Sequence, residues 1–213
     1  MTHAKAPWPW TELVFATRNH HKVEELNALL HGSLGVSVVG LNGIEGLPEI
    51  VEDRDSFEGN AIKKAETIAK VLDRPVAADD SGLAVNALGG APGVYSARYA
   101  GENATDASNN EKLLNALKGI PEEERGASFV CVLALAVPGE ETQVVRGEVP
   151  GRIVDAPQGT NGFGYDPLFC LPELGCTVAE LTSEEKNRIS HRARAAETLI
   201  NLLLTHYDFS ISS

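Results

Sequence analysis

Three short segments of this chain carry residue types that could bind a phosphorylated ligand. The first is Thr17–Lys22, which reads TRNHHK between a predicted strand and a predicted helix. Backbone N–H groups at a helix N-terminus are unpaired there, and the helix dipole favours an anion. A lysine and two small polar side chains at this place suit a phosphate. A polar helix cap with a solvated lysine is the simpler alternative, and the P-loop pattern is absent.

The second segment holds two adjacent carboxylates, Asp79 and Asp80, directly after a predicted buried strand at Pro75–Ala78. Ligands of α/β sheets bind at the carboxyl ends of strands, and Mg²⁺ prefers a few carboxylates with phosphate oxygens and water. We expect one of the two to face such a ligand, because neighbouring strand residues point to opposite sides. The alternative is an Asx-turn. Glu52 and Asp53 could add a carboxylate or form a solvated acidic turn.

The third segment is GFGYDP, residues 162–167. Glycines allow a backbone to approach a ligand closely. Phe163 between two glycines is predicted to be exposed, and an exposed aromatic ring can stack on a flat base. Asp166 could accept a hydrogen bond from the base or orient the loop. A turn with a core aromatic is the alternative.

Basic residues near the start of the last predicted helices could complete a binding site. Lys186 and Arg192 could neutralise phosphates, and His191 could donate a hydrogen bond to a keto oxygen. The alternative is a solvated basic patch opposite Glu184 and Glu185.

Charge and composition limit the classes of partner. The chain has 213 residues, with 18 basic and 30 acidic side chains and a net charge of −12. This balance argues against nucleic acid and anionic membranes as partners. The longest apolar run, residues 129–137, is too short for a bilayer, and the N-terminus lacks a secretory signal. Three cysteines without CxxC spacing fit a reducing compartment, so we expect a cytoplasmic protein.

The order of predicted elements indicates an α/β domain with a mixed sheet. Apolar spacing predicts helices at His21–Leu30, ended by Gly32, and after Ser56 as N-cap. Further helices are predicted from Thr105 or Asp106 to Leu117, after a capping box at Thr182, and at 191–204. Strands are predicted at 11–16, 35–39, 75–78, 127–137 and 143–148, and the last two are expected to form a hairpin.

Six stretches of the chain resemble the dITP/XTP pyrophosphatases, also called inosine triphosphate pyrophosphatases. They run in that family's order and cover nearly all of residues 13–204. Arg18 stands where many members carry glycine. The stretches are residues 16–22, 56–65, 78–85, 88–101, 162–169 and 179–192.

The resemblance implies a single elongated domain with a mixed sheet and flanking helices that form two lobes around a central cleft. This domain would span residues 13–205, after an N-terminal extension at 1–12 and before a C-terminal tail at 206–213. The resemblance also implies a homodimer that depends on Mg²⁺. It would hydrolyse ITP, dITP and XTP to the monophosphate and pyrophosphate.

The resemblance also assigns residues. Asp80 and Lys22 are implied as catalytic, and Glu52 and Asp80 as metal ligands. The implied substrate-binding residues are Thr17, Arg18, Asn19, His20, His21, Lys22, Ser81, Phe163, Gly164, Tyr165, Asp166, Lys186, His191 and Arg192.

Two other classes of function compete with this one. One is a module that binds purine nucleotides without hydrolysing them. It has less need of metal carboxylates, so Glu52 and Asp80 weigh against it. A nucleophilic hydrolase is disfavoured because GxSxG is absent. A net charge of −12 does not exclude a triphosphate, because a few cations around a metal ion can make a local field positive.

Overall fold

The computed structural model describes residues 5–209, which form two compact units. Within that range, unit 1 contains residues 5–80, 132–147 and 193–209. Unit 2 contains residues 81–131 and 148–192. No helix within residues 5–209 has both the length and the apolar character needed to cross a membrane.

Seven of the strands form one mixed sheet, as the sequence predicts. The order is β3-β2-β4-β5-β6-β7-β8, and β1 pairs separately with β9. β2 runs parallel to β3 and β4, whereas β6, β7 and β8 pair in antiparallel fashion. The strands are β1 (Ala6–Pro7), β2 (Glu12–Phe15), β3 (Ser37–Val39), β4 (Val76–Val85), β5 (Gly126–Ala136), β6 (Gln143–Ile153), β7 (Phe169–Leu171), β8 (Cys176–Thr177) and β9 (Tyr207–Asp208).

Side-chain caps begin most of the helices at the residues that the sequence predicts. Ser56 accepts from the Gly59 N–H, and Thr105 and Thr182 each form a capping box. Such caps satisfy backbone donors that the first helical turn leaves unpaired. The helices are α1 (His20–Leu34), α2 (Phe57–Leu72), α3 (Asp106–Ala116), α4 (Ser183–Ile189) and α5 (His191–His206).

The predicted end of the first helix is wrong. Gly32 lies inside α1, which continues to Leu34 and ends at Gly35 with φ of 71°. Glycine adopts this left-handed conformation without steric cost. Gly35 is therefore the C-cap of α1 and not the first residue of the second strand.

The predicted end of the strand at residues 75–78, which is β4 in the structure, is also wrong. β4 continues through Asp79 and Asp80 to Val85, so the acidic pair lies within a strand and not in an Asx-turn. Both carboxylates are buried, at 2% and 7% exposure. Buried charges are tolerated where they are paired and hydrogen-bonded, and partners for both are present in unit 1.

Each unit has its own apolar core. In unit 1, Leu13, Phe15, Leu26, Leu30 and Ile68 are almost fully buried. In unit 2, one buried cluster joins the second half of β4 to α3, β5 and β7; among its members are Leu83, Leu113, Leu117, Ile153 and Phe169. These cores fix the positions of the strands and helices that carry the polar residues described below.

Residues of the N-terminal extension pair with the C-terminal end of the chain within unit 1. β1 adds in parallel to β9, and the Trp8 N–H donates to the Asp208 carbonyl at 3.0 Å. The Trp8 ring is 4% exposed. Its centroid lies 4.9 Å from Tyr207, 5.6 Å from Phe209 and 5.1 Å from Trp10. We call these four rings the aromatic clasp.

We expect Trp8→Ala to lower the free energy of unfolding by about 3 kcal/mol, because a buried aromatic ring is lost and a cavity remains. Urea unfolding followed by circular dichroism measures this change. Trp10→Ala is the control, since Trp10 is only partly buried, and we expect a smaller loss. Equal losses for the two variants would contradict a clasp centred on Trp8.

Candidate functional site

The Lys22 side chain joins the start of α1 to β4. Its Nζ lies 2.7 Å from Oδ2 of Asp79, whose side chain is 3% exposed. Asn19 is the N-cap of α1, and its Oδ1 accepts from the Lys22 N–H at 3.3 Å. The segment therefore is a polar helix cap, as the alternative interpretation held, but its lysine is ion-paired and not merely solvated. Since an ammonium has three N–H donors, the pair with Asp79 leaves donors for another anion.

The other residues of the segment either bond within this cap or contact groups outside it. Thr17 Oγ1 accepts from the Asn19 N–H at 3.1 Å, and Arg18 Nη1 donates to the Leu41 carbonyl at 3.2 Å. His20 begins α1. His21 is 93% exposed at its side chain and lies 3.9 Å from Glu24. His21 thus faces solvent beside a helix neighbour, apart from the Lys22–Asp79 pair.

Asp80 is held by an amide on α2. Asn60 is fully buried, and its Nδ2 donates to Asp80 Oδ2 at 2.9 Å. Its Oδ1 accepts from the Arg54 N–H at 3.0 Å. The buried Asn60 side chain therefore fixes both the Asp80 carboxylate and the backbone of Arg54. Arg54 lies near the end of residues 47–55, which contain Glu52 and which we call the acidic segment.

A lysine one turn further along α2 bonds to Glu52. The Nζ of Lys64 lies 2.7 Å from Glu52 Oε1, and the Lys64 side chain is 14% exposed. Asn60 and Lys64 are spaced i, i+4 and so lie on one face of the helix. Burial alone would lower the pKa of Lys64, but the nearby Asp79, Glu52 and Asp80 carboxylates raise it above its usual value. Lys64 is therefore an internal cation among three carboxylates. The group that we call the carboxylate cluster consists of Glu52, Asn60, Lys64, Asp79 and Asp80.

The carboxylate cluster can be tested as a place for a metal ion. Within residues 5–209, no three His, Cys, Asp or Glu side chains converge closely enough to hold a metal by themselves. Mg²⁺ is commonly bound by one or two carboxylates, with phosphate oxygens and water supplying the other ligands. The donors here are carboxylate oxygens, and one of them already bonds a cation, the Lys64 ammonium. This donor set fits such an ion.

A second polar group lies in unit 2, around the loop at residues 162–166. The buried Asp166 carboxylate accepts from the Phe163 N–H at 2.9 Å and from Lys186 Nζ. The Lys186 ammonium lies 4.4 Å from the centroid of the Phe163 ring. Phe163 is 67% exposed, which confirms the predicted exposure and excludes a core aromatic. We call Phe163, Asp166 and Lys186 the aromatic platform.

Gly162 is required by the approach of Asp166. Its φ is 76°, and a Cβ at this position would lie 2.1 Å from Asp166 Oδ2. Any other residue would therefore displace the carboxylate that orients Phe163 and Lys186.

The rest of the platform loop is anchored to neighbouring elements of unit 2. The Gly164 N–H donates to Asp106 Oδ2 at 2.8 Å, and its carbonyl accepts from Asn110 at 3.0 Å. The Tyr165 hydroxyl donates to the Ser96 carbonyl at 2.7 Å. Burial, followed by the nearby Tyr99 and Asp106, raises the pKa of Tyr165, which keeps this hydroxyl a donor at neutral pH. Gly164 and Tyr165 thus fix the loop, while the Phe163 ring stays exposed to solvent.

The remaining predicted residues of unit 2 lie in the first turn of α5 and in β4. His191 begins α5, and its ring stacks on Phe129 with centroids 5.2 Å apart. Arg192 follows His191 in the first turn of α5. Ser81 directly follows Asp80 in β4.

Asn60 and Lys64 are the two residues of the carboxylate cluster that the sequence interpretation missed. Both lie inside α2 among apolar residues and have no special pattern of their own. The available signal was their i, i+4 spacing on a helix that follows an acidic segment, since this spacing places an amide and an ammonium on one face.

The mixed sheet and the two polar groups define an α/β protein, with the carboxylate cluster in unit 1 and the exposed aromatic platform in unit 2. The model of the Ham1 family matches residues 13–202. Because that match covers most of the sequence, the chain belongs to the Ham1 family.

Named relatives and solved structures agree with this assignment. The dITP/XTP pyrophosphatase of Bacillus licheniformis is 52% identical over 192 residues, covering 90% of this chain and 97% of that protein. The protein of the same name from Bacillus subtilis is 52% identical over 192 residues, covering 90% and 96%. A HAM1 protein from Coxiella burnetii has a TM-score of 0.85 at 43% identity, covering 92% of this chain and 99% of that one.

Proposed function

We propose that this protein hydrolyses deaminated purine nucleoside triphosphates, namely ITP, dITP and XTP, to the monophosphate and pyrophosphate. The observation that carries the proposal is the identity of 52%, over nine-tenths of the chain, to proteins named dITP/XTP pyrophosphatase. The carboxylate cluster and the aromatic platform supply the chemistry that such a reaction needs. The protein would act in the cytoplasm as a homodimer.

The carboxylate cluster and the turn at Thr17–Lys22 are the parts suited to the triphosphate. Attack of water on the α-phosphorus needs a proton acceptor and cations that offset charge on the phosphoryl oxygens. In this proposal Asp80, held by Asn60, accepts the proton. Lys22 and Lys64 offset the developing negative charge.

Mg²⁺ is the cofactor that we propose for this reaction, with Glu52 and Asp80 as its protein ligands. When bound, the ion would withdraw charge from the phosphate oxygens and so favour attack and departure of pyrophosphate. Asp79 would keep Lys22 in position through their ion pair.

The aromatic platform is the part suited to the purine. Phe163 offers an exposed face for stacking, and Asp166 holds the Lys186 ammonium beside that ring. An N–H donor such as Lys186, His191 or Arg192 can bond the 6-keto oxygen of a deaminated purine. The 6-amino group of adenine would leave that donor unpaired, at a cost of about 1–3 kcal/mol. Ser81, Gly164, Tyr165 and the turn residues Thr17–His21 complete the proposed binding set.

The experiment that tests this function compares ITP, dITP, XTP, ATP and GTP as substrates of the purified protein with Mg²⁺. Pyrophosphate and orthophosphate are measured separately. We expect pyrophosphate from the deaminated nucleotides, with kcat/KM about a hundredfold above that for ATP. If ATP and GTP were hydrolysed as fast as ITP, dITP and XTP, the proposed specificity would be refuted. Tight ITP binding without any product would instead indicate a nucleotide-binding module.

We expect Phe163→Ala to raise KM for ITP about tenfold, because stacking on one base is worth about 1–3 kcal/mol. Steady-state kinetics with pyrophosphate detection measures the change. Phe163→Tyr keeps the stacking face and should stay within twofold of the unchanged protein. Inhibition by inorganic tripolyphosphate, which lacks a base, should be the same in all three proteins. A parallel loss of tripolyphosphate inhibition would show that Phe163 does not act through the base.

A further inference from the structure

The segment that follows β3 is bonded along the turn that begins α1. The Leu41 N–H donates to the Thr17 carbonyl at 2.9 Å. Asn42 Nδ2 donates to the Arg18 carbonyl at 3.0 Å, and Arg18 Nη1 donates to the Leu41 carbonyl at 3.2 Å. Three bonds of different types therefore tie residues 41–42 to residues 17–18, and all of them lie within unit 1.

The close approach of this segment is built into the sequence at Gly40. A Cβ at this position would lie 2.9 Å from Val23 Cγ2 and 3.1 Å from the Thr17 carbonyl oxygen. A larger residue would push the segment away from the turn and from α1. The contact between the two segments thus depends on glycine and is not an incidental touch of two surface loops.

The bond to Arg18 fixes the orientation of the Asn42 amide. A backbone carbonyl can only accept a hydrogen bond, so the amide nitrogen and not its oxygen faces Arg18. The same nitrogen lies 3.3 Å from Nε2 of His20. The Asn42 amide therefore reaches both the Arg18 carbonyl and the His20 ring from one nitrogen.

Arg18 takes part in the same network with an ordinary backbone conformation. Asp73 is the one non-glycine residue with positive φ between residues 5 and 209, so Arg18 needs no left-handed backbone. Its side chain is turned back onto Leu41. The Arg18 side chain therefore adds a bond between the turn and the segment.

We propose that Asn42 is a positioning residue for the turn at Thr17–Lys22. It holds the Arg18 carbonyl and the His20 ring so that the backbone N–H groups of the turn are in place for phosphate oxygens before the ligand arrives. This inference rests on the proposed function, because it takes the turn to bind the triphosphate. A preorganised turn binds more tightly because less ordering is required on binding.

The experiment compares Asn42→Ala with the unchanged protein in ITP hydrolysis and in inhibition by inorganic tripolyphosphate, both with Mg²⁺. We expect KM and the inhibition constant to rise together by about fivefold, while kcat stays within twofold. The melting temperature should be unchanged, since Asn42 is exposed. Asn103→Ala is the matched control, an exposed loop asparagine of unit 2, and it should change none of these values.

A second comparison tests whether Asn42 acts through the turn. His20→Ala and Asn42→Ala should together raise KM by less than the product of their separate effects, because they share one contact. Asn42→Leu keeps the side-chain volume without a donor and should match Asn42→Ala. Separate effects that multiply fully would overturn the role through His20.

The outcomes separate this inference from the proposed function. If Lys22→Ala weakens tripolyphosphate inhibition and Asn42→Ala does not, the positioning role is wrong and the phosphate-binding turn stands. If neither variant weakens it, the turn does not bind phosphate and the positioning role fails with it, whereas the proposed function fails only if the unchanged protein releases no pyrophosphate from ITP, dITP or XTP. A fall in melting temperature together with kcat for Asn42→Ala would reduce Asn42 to a structural role.

Discussion

Asp80→Asn is expected to lower kcat for pyrophosphate release from ITP about a thousandfold. Loss of a general base typically costs a factor of about 10²–10⁴. Asparagine cannot take the proton of the attacking water, and it offers a neutral oxygen in place of a carboxylate to a divalent cation. The assay is steady-state hydrolysis at saturating ITP and Mg²⁺, with the folded fraction checked by circular dichroism.

The fold should survive this substitution because the position keeps a hydrogen-bond acceptor. In the unchanged protein the Asn60 amide donates to Asp80 Oδ2 at 2.9 Å. The side-chain oxygen of an asparagine at position 80 can accept the same bond. Asp73→Asn is the matched control, an exposed aspartate at the C-cap of α2 with φ of 50°. Asparagine tolerates this left-handed conformation well, so activity and stability should be unchanged. If Asp80→Asn kept a tenth of the activity or more, Asp80 would not be the base.

Much of the fold follows from local patterns in the sequence. The caps at Ser56, Thr105 and Thr182 are visible because a cap needs a particular side chain at a particular position. The end of β4 was predicted wrongly because an adjacent pair of carboxylates is typical of a turn. The partners that keep Asp79 and Asp80 in a strand are Lys22 and Asn60, which lie 57 and 20 residues away along the chain. No local pattern contains that information.

The candidate site shows the same division between local and distant causes. The exposed Phe163 follows from its two flanking glycines and was predicted. The turn at residues 17–22 is polar and Asn19 caps α1 there, as one of the two interpretations holds, but neither interpretation contains the ion pair of Lys22 with Asp79. The aromatic clasp was not foreseen, because Trp8 and Tyr207 are neighbours only after the two ends of the chain meet.

Lys64 carries the second large expected effect, because it is the one residue of the carboxylate cluster that supplies positive charge from within α2. We expect Lys64→Met to lower kcat/KM for ITP at least a hundredfold, through loss of a cation near the phosphates. Without metal, we also expect the free energy of unfolding to fall by about 2 kcal/mol, because Glu52 loses its ion-pair partner and the two aspartates lose a nearby cation. Urea unfolding in EDTA measures the second effect.

Added Mg²⁺ should restore part of the stability that Lys64→Met loses. A ligand that binds the native state stabilises it by mass action, and the three carboxylates of the variant attract a divalent cation more strongly once the ammonium is gone. Unfolding is therefore measured again at about 10 mM Mg²⁺, a concentration chosen to exceed the weak dissociation constants, about 10⁻³ M, of loosely held cations. We expect the difference in the free energy of unfolding between the variant and the unchanged protein to be smaller with Mg²⁺ than in EDTA. No recovery would contradict binding of Mg²⁺ at the carboxylate cluster.

Lys63→Met is the matched control for the same acidic segment. Lys63 Nζ bonds the Val51 carbonyl and Asp53 Oδ1, each at 2.8 Å, so it holds the segment from the neighbouring helix position. If Lys64 acted only by fixing the segment, the two variants would lose similar activity. We expect Lys63→Met to keep at least about a third of kcat/KM, since surface ion pairs contribute about 1 kcal/mol or less.

The pH dependence of the stability difference should also identify Lys64. Its pKa in the folded protein is raised above 10.5 by the carboxylates, in spite of its burial. A raised lysine pKa stabilises the folded state fully below the unfolded pKa, and this contribution is lost as the pH rises through the folded pKa. The stability difference in EDTA between the unchanged protein and Lys64→Met should therefore be constant near neutral pH and shrink above about pH 10.5. A difference that instead disappeared near pH 7 would mean that the Lys64 ammonium is not stabilised by its carboxylate neighbours.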